Sequence, residues 1–235
     1  MNKVNKNQLV SKLVEIFKDA DVDIDEIINE FKSQLEARKR KRYEDLEKLF
    51  DKQIQTLKDR GCPEQIIELL TEQKRPVVFK ASEMAFEKGH IPFLPVIPRP
   101  YRGLYDLVAM VWNKDKQGCN HLNPVVIIDT IDTPTRPYYI YDVEDGEATL
   151  KKSSETAEKV FKKQSRFPLT VDEVIALCIH TDVLSRHTVL AVASRYNNLD
   201  QVLIAHLDYY GQPLFNYTLV SDSHDHWGSP SCGSR

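Results

Sequence analysis

From Gln8 to Gln73 the chain contains one glycine, Gly61, and one proline, Pro63. These two residue types most disfavour a helix interior, so so long a stretch nearly free of them is able to run as helix. Apolar side chains recur there at three- and four-residue spacing, which gathers them on one helix face. Leu9, Leu13, Ile16 and Phe17 form a first stripe, and Asp19 to Asp25 supplies a break with N-cap residues. A long helix is expected next. Ile24, Ile27, Ile28, Phe31 and Leu35 share one face, and Leu46, Phe50, Ile54 and Leu57 resume the stripe. Gly61 should end it, because glycine accepts the left-handed backbone that closes a helix. Pro63 suits the opening turn of a third helix carrying Ile66, Ile67, Leu69 and Leu70. Residues 1–75 therefore read as a helical hairpin or bundle. Its stripes would be buried within it or against another chain, which makes self-association or partner docking the expected role.

The grammar changes at Pro76. Pro92, Pro95, Pro98 and Pro100 punctuate an aromatic and aliphatic stretch, which fits an extended edge rather than a central strand. Leu104 to Trp112 reads as either helix or strand. Val125 to Ile128 and Tyr138 to Tyr141 are β-branched and aromatic runs, hence strands. Ser154 to Gln164 is an amphipathic helix, and Thr170-Val171-Asp172-Glu173 is a capping box opening another. Val202–Tyr209 and Leu214–Val220 flank Tyr210-Gly211-Gln212-Pro213 as a hairpin. Strands and helices mix without strict alternation. The expected class is α+β, with a mainly antiparallel sheet over residues 76–235.

A formal charge of -3 offers no general attraction for nucleic acid or anionic lipid. The one basic run, Arg38-Lys39-Arg40-Lys41-Arg42, is partly neutralised by Glu36 and Asp45 at helical spacing and reads as a solvated helix face. Two short helices around Ser185 would suit a helix-turn-helix, with Arg186 and Arg195 on phosphates, but the region is not basic. No segment is apolar enough for a membrane span or signal peptide. Cys62, Cys119, Cys178 and Cys232 are widely spaced, without a Cys-x-x-Cys pair. That pattern suits a reducing, cytoplasmic setting.

The densest chemistry lies in Asp222 to Arg235. His224 and His226 would share a face on a strand and, with Asp222, could hold a divalent metal. Cys232 lies between two small residues and would be a nucleophile if His224 or His226 lowered its pKa. The competing account is a polar turn pinned by Trp227. Asp142 and Glu144 would share a strand face, with Asp129 and Asp132 ending the preceding strand. Such carboxylates bind Mg²⁺ or Ca²⁺, although Asp145-Gly146 is also a strong turn signal. Cys178 falls on a core stripe, whereas His180 lies off it and is placed to reach a cleft. Arg102, His180, Arg186, His187, Arg195 and Trp227 are the candidate ligand contacts. Arg99, Arg102, Arg186, Arg195 and Arg235 would together line a pocket for an anion.

The phrases YRGLYDL (101–107), DVEDGEATL (142–150), ALCIHTDVLSRH (176–187) and WGSPSCGSR (227–235) resemble a bacterial domain family of unknown function, over roughly Ile91 to the C-terminus. The resemblance implies no activity and carries over no catalytic residue. The functional expectation is a binding or assembly protein whose α+β domain holds a small anionic ligand or peptide. The alternative is a metal- or thiol-dependent hydrolase or transferase built on the C-terminal Asp, His and Cys residues.

Overall fold

The computed structural model describes residues 24–197 and 199–235. The stripe from Leu9 to Phe17 lies outside them. The chain divides into two compact units, Met1–Asp45 and Leu46–Arg235. Helix α1 (Ile24–Asp59) runs through the boundary and ends, as expected, just before the left-handed Gly61. In the first unit its residues Ile27, Phe31 and Leu35 are exposed, Phe31 at 65%. Arg38 to Arg42 are exposed too, and Lys39 pairs with Glu36 at 3.1 Å.

The second unit begins well before the change of grammar at Pro76. Leu46, Phe50, Ile54 and Leu57 are all buried in it. Two further helices follow, α2 (Glu64–Thr71) and α3 (Lys74–Glu83). Pro76 lies in the first turn of α3, where its missing N–H breaks no helical bond, so the proline ends nothing. Strand β1 (Ile91–Val96) pairs antiparallel with β6 (Tyr138–Val143) as a two-stranded sheet. Phe50 stacks on Tyr139 at 5.5 Å, and Gln53 donates to the Phe93 carbonyl at 2.8 Å. Helical stripe and sheet thus share one core. Pro92 and Pro95 fit in β1 because only one of its edges carries a ladder.

Between these strands lie α4 (Arg99–Arg102), α5 (Leu104–Ala109) and the short strands β2 (Trp112–Asn113), β3 (Lys116–Gln117), β4 (Cys119–Asn120) and β5 (Ile127–Asp129). The larger sheet centres on β8 (Thr188–Tyr196), β9 (Gln201–Leu207) and β10 (Pro213–Leu219) in antiparallel order. β4 adds to β10 in parallel, and β5 to one end of β8 antiparallel. Helix α6 (Ser154–Gln164) and strand β7 (Phe167–Pro168) precede α7 (Val171–His180), whose residues from Val171 to Ile179 are all buried. The Thr170/Glu173 capping box is present. After α7 comes a 3₁₀ turn at Val183–Ser185 and then β8, so there is no second helix of a helix-turn-helix. The run Thr188-Val189-Leu190-Ala191-Val192-Ala193 is almost wholly apolar and buried, which suits a central strand.

The C-terminal segment stitches these layers together. β11 (Trp227–Gly228) lies parallel to β8, and β12 (Ser231–Cys232) pairs with β7. Single bridges join Glu144 to Ser231 and Tyr141 to Ser234. The threading is tight: a Cβ on Gly228 would lie 2.3 Å from the Gly146 carbonyl oxygen. Arg235 closes the chain on Glu173 with two bonds of 2.7 and 2.8 Å. The architecture is the expected α+β, with antiparallel-rich sheets.

Candidate functional site

A cleft of about 380 Å³ opens beside the bridge between β6 and β12. His90 enters it from the turn before β1, Asp142 and Glu144 from the end of β6, Arg166 from the link after α6, and Ser231 from β12. Asp142 holds a left-handed backbone (φ 53°), which is uncommon for a non-glycine residue and costs about 1 kcal/mol or more. Its surroundings fix it there. One carboxylate oxygen meets His90 Nδ1 at 2.6 Å and the other accepts from Arg166 at 2.6 Å. The same guanidinium donates to the Asp142 carbonyl oxygen and, from Nε, to Ser231 Oγ at 2.8 Å. All three guanidinium nitrogens are therefore engaged. Burial favours the neutral acid at Asp142, but the bonds from His90 and Arg166 outweigh it and hold the carboxyl below its ordinary range.

Glu144, two residues on, has the opposite environment. Its Oε1 accepts from the Gly146 and Ala148 amides at 3.0 and 2.9 Å. Its Oε2 is buried with no partner among the described residues, and the residue is 8% exposed. Burial raises its pKa, although the two amides offset part of the effect. His90 completes the contrast. With Nδ1 against a carboxylate, the favoured neutral tautomer carries its proton there and leaves the lone pair on Nε2. The nearest acidic oxygen to Nε2 is that of the exposed Glu87, at 3.9 Å. The cleft thus places an imidazole, held through Nδ1 by a carboxylate, beside a second carboxyl whose ionisation burial disfavours.

Asp142 and Glu144 share this cleft as their shared strand face implied, but Asp129 goes elsewhere, paired with Arg99. The C-terminal candidates are dispersed. Asp222 accepts from the Thr218 hydroxyl at 2.6 Å and the Leu219 amide at 3.2 Å. His224 and His226 lie in an irregular segment, not a strand, with ring centroids 6.1 Å apart. Among the described residues no group of three His, Cys, Asp or Glu is placed to hold a metal ion. Cys232 is 0% exposed on β12, and burial pushes its thiol up to about 12. A thiol so placed stays protonated and inaccessible, which removes the structural basis for a Cys232 nucleophile.

The arginines do not converge on an anion either. Arg99 pairs with Asp129 and Asp172, Arg186 with Asp145, Arg195 with Glu158 and Arg235 with Glu173, while Arg102 reaches the Gly61 carbonyl. His180 does line a cleft, next to Trp112 and Arg60. Arg186, His187 and Trp227 line a different one. Three residues of the His90 cleft were not anticipated: His90, Arg166 and Ser231. A lone histidine before a Pro-containing strand, and an arginine just after a helix, give no spacing signal. Only the pairings of β6 with β1 and with the C-terminal segment bring them to Asp142.

The model of a family of unknown function, DUF5701, matches the chain over residues 48–203. The chain belongs to this family. The DUF5701 match begins close to the Leu46 boundary, and so takes in the last third of α1 along with the α+β layers it packs on. It contains His90, Asp142, Glu144 and Arg166, whereas Ser231, Trp227 and Arg235 lie beyond it. No curated protein and no solved structure matches the chain. Among the described residues no helix is long and apolar enough to cross a membrane.

Proposed function

We propose that this DUF5701 protein is an acid–base catalyst acting on a small polar molecule bound in the His90 cleft. The observation that carries the reading is the 2.6 Å contact of His90 Nδ1 with Asp142, beside the unpartnered, buried Oε2 of Glu144. His90 Nε2 takes a proton from a substrate hydroxyl or a water, Asp142 stabilises the imidazolium that forms, and Glu144 donates to the group that gains charge. Arg166 holds Asp142 in place, with all three of its nitrogens already donating to Asp142 or Ser231. The ionised Asp142 adds negative charge to the cleft, which favours an uncharged or cationic substrate with a hydroxyl or amine over the anion expected from the arginines. Hydrolysis of neutral esters, amides or glycosides is the reaction class that uses these two groups. A panel of such chromogenic substrates, turned over by wild type and reduced a hundredfold or more in His90→Asn, tests it. Equal rates in wild type and His90→Asn across the panel overturn the reading.

The first unit supports a second, separate role. Ile27, Phe31 and Leu35 lie exposed at i, i+4 and i+8 on α1, the spacing of a docking face for a partner helix or a second copy. Sedimentation of wild type against Phe31→Glu tests this: unchanged mass and partner set would remove the assembly role.

A further inference from the structure

A second cleft, of about 390 Å³, lies between the 3₁₀ turn at Val183–Ser185, β8, β9 and β11. That is within the size range of small-molecule sites, about 300–1,000 Å³. His187, His206, Trp227, Ile204 and Arg186 line it, with the exposed His226 at its rim. The two histidines are held alike. His187 Nδ1 lies 3.1 Å from the Thr188 carbonyl oxygen, and His206 Nδ1 lies 3.1 Å from that of Leu207. A carbonyl only accepts, so each ring carries its proton on Nδ1 and keeps a lone pair on Nε2. His187 is 6% exposed, and its Nε2 is buried without a partner among the described residues. A buried acceptor left unpaired is unfavourable unless a ligand supplies the donor.

The rest of the cleft says what kind of donor. Trp227 and Ile204 give it an apolar wall backed by the core cluster of Leu190, Val192 and Val202. Arg186 is occupied by Asp145 at 2.7 Å and Asp182 at 3.5 Å, so it offers little free positive charge. Two imidazole acceptors beside an apolar aromatic wall match a flat, uncharged heteroaromatic ring with N–H donors on its edge. We infer that this cleft binds such a ring, of nucleobase size, through His187 Nε2 and His206 Nε2. The site is independent of the acid–base cleft: no residue lines both.

The chain has two tryptophans, Trp112 and Trp227, so two indole N–H signals report on the full-length ¹⁵N-labelled protein. Adenine and uracil are the probes, with pyridine as a flat ring that lacks an N–H. Adenine or uracil is expected to move the Trp227 signal saturably while Trp112 stays put. His206→Phe and His187→Gln should each weaken that binding tenfold or more, and pyridine should not compete. His206 is only half-buried, so its variant serves if His187→Gln fails to fold by circular dichroism. Four results overturn the inference: no saturable shift with either base at millimolar concentration, equal binding of pyridine, unchanged affinity in the folded histidine variants, or saturation of the site by Zn²⁺ alone.

Discussion

Asp142 and Glu144 stand two residues apart on one cleft wall, yet the structure holds Asp142 ionised against His90 and Arg166 and leaves Glu144 Oε2 facing no donor among the described residues. Their pKa values move in opposite directions, so their stability signatures have opposite signs. For Asp142, the folded carboxyl lies below its unfolded value. Its contribution is present above an ordinary aspartate pKa of about 3.9 and is lost as pH falls through the folded value. Asp142→Asn should therefore destabilise the protein at pH 7 by about 2–4 kcal/mol, since it weakens two charge-assisted bonds and leaves Arg166 short of its counter-ion. The deficit should shrink in acid. Urea unfolding of wild type and variant from pH 7 down to pH 3 reads both; a constant deficit would contradict the pairing.

Glu144 behaves in reverse. Its folded pKa is raised, so ionising it costs stability as pH rises above the ordinary glutamate value of about 4.3. Glu144→Gln keeps an oxygen for the Gly146 and Ala148 amides and removes the group whose ionisation burial penalises. The variant should be as stable as wild type or more so at pH 7, with the advantage disappearing toward pH 4. Its turnover of any substrate of the cleft should still fall tenfold or more, because the donated proton is gone. A destabilised Gln variant with full activity would place Glu144 in a purely structural role.

Local features of this chain were readable and long-range ones were not. Helix α6 lies at Ser154–Gln164 as its own cap and amphipathic spacing dictate, and α7 opens at its capping box, because both signals sit within a few residues. The β9–β10 hairpin is equally local. By contrast, the C-terminal part of α1 belongs to the α+β unit only because Phe50 and Gln53 meet Tyr139 and Phe93, far along the chain. The same holds for the candidate site. The carboxylates were visible as a pair, but His90 comes from 52 residues before Asp142 and Arg166 from 24 after it. The C-terminal segment drew attention for its chemistry. Its side chains instead serve packing and pairing, apart from Ser231 in the His90 cleft and His226 and Trp227 in the second.

Thiol accessibility separates the cysteines cleanly. Cys62, Cys178 and Cys232 are buried and Cys119 is half-exposed. Burial raises Cys62 to about 11 and Cys232 to about 12. Limiting iodoacetamide on the native protein at pH 7.5, followed by peptide mass spectrometry, should find Cys119 modified well ahead of the other three. Preferential labelling of Cys232 would restore the nucleophile reading.

His180 gives the fold an acid sensitivity of its own. Burial pushes its ring from about 6.5 down to about 3, and its Nε2 has no partner among the described residues. The unfolded chain takes up the proton first, so stability is fully present above about pH 6.5 and falls by as much as about 1.4 kcal/mol per pH unit below it. His180→Leu removes this titration. The stability of wild type relative to the variant should therefore decline steadily from pH 6.5 to pH 4, and a pH-independent difference would show that the ring is hydrated.

The clasp of Arg235 on Glu173 is the last contact of the chain and among its most buried. The Glu173 side chain is 0% exposed and also receives the Tyr138 hydroxyl at 3.0 Å and the Thr170 amide at 2.8 Å. Arg235 further donates to the Pro168 carbonyl at 2.8 Å. Arg235→Leu leaves a buried carboxylate without its counter-charge and should cost about 3–5 kcal/mol. Glu173→Gln in the same chain removes the stranded charge; its one amide oxygen still accepts from the Thr170 amide of the α7 cap, and its NH2 is left to donate to the Tyr138 hydroxyl oxygen. The double variant should then recover a large part of that loss. If denaturation shows the two substitutions simply adding, the cost of Arg235→Leu comes from lost packing of the segment and not from the buried charge.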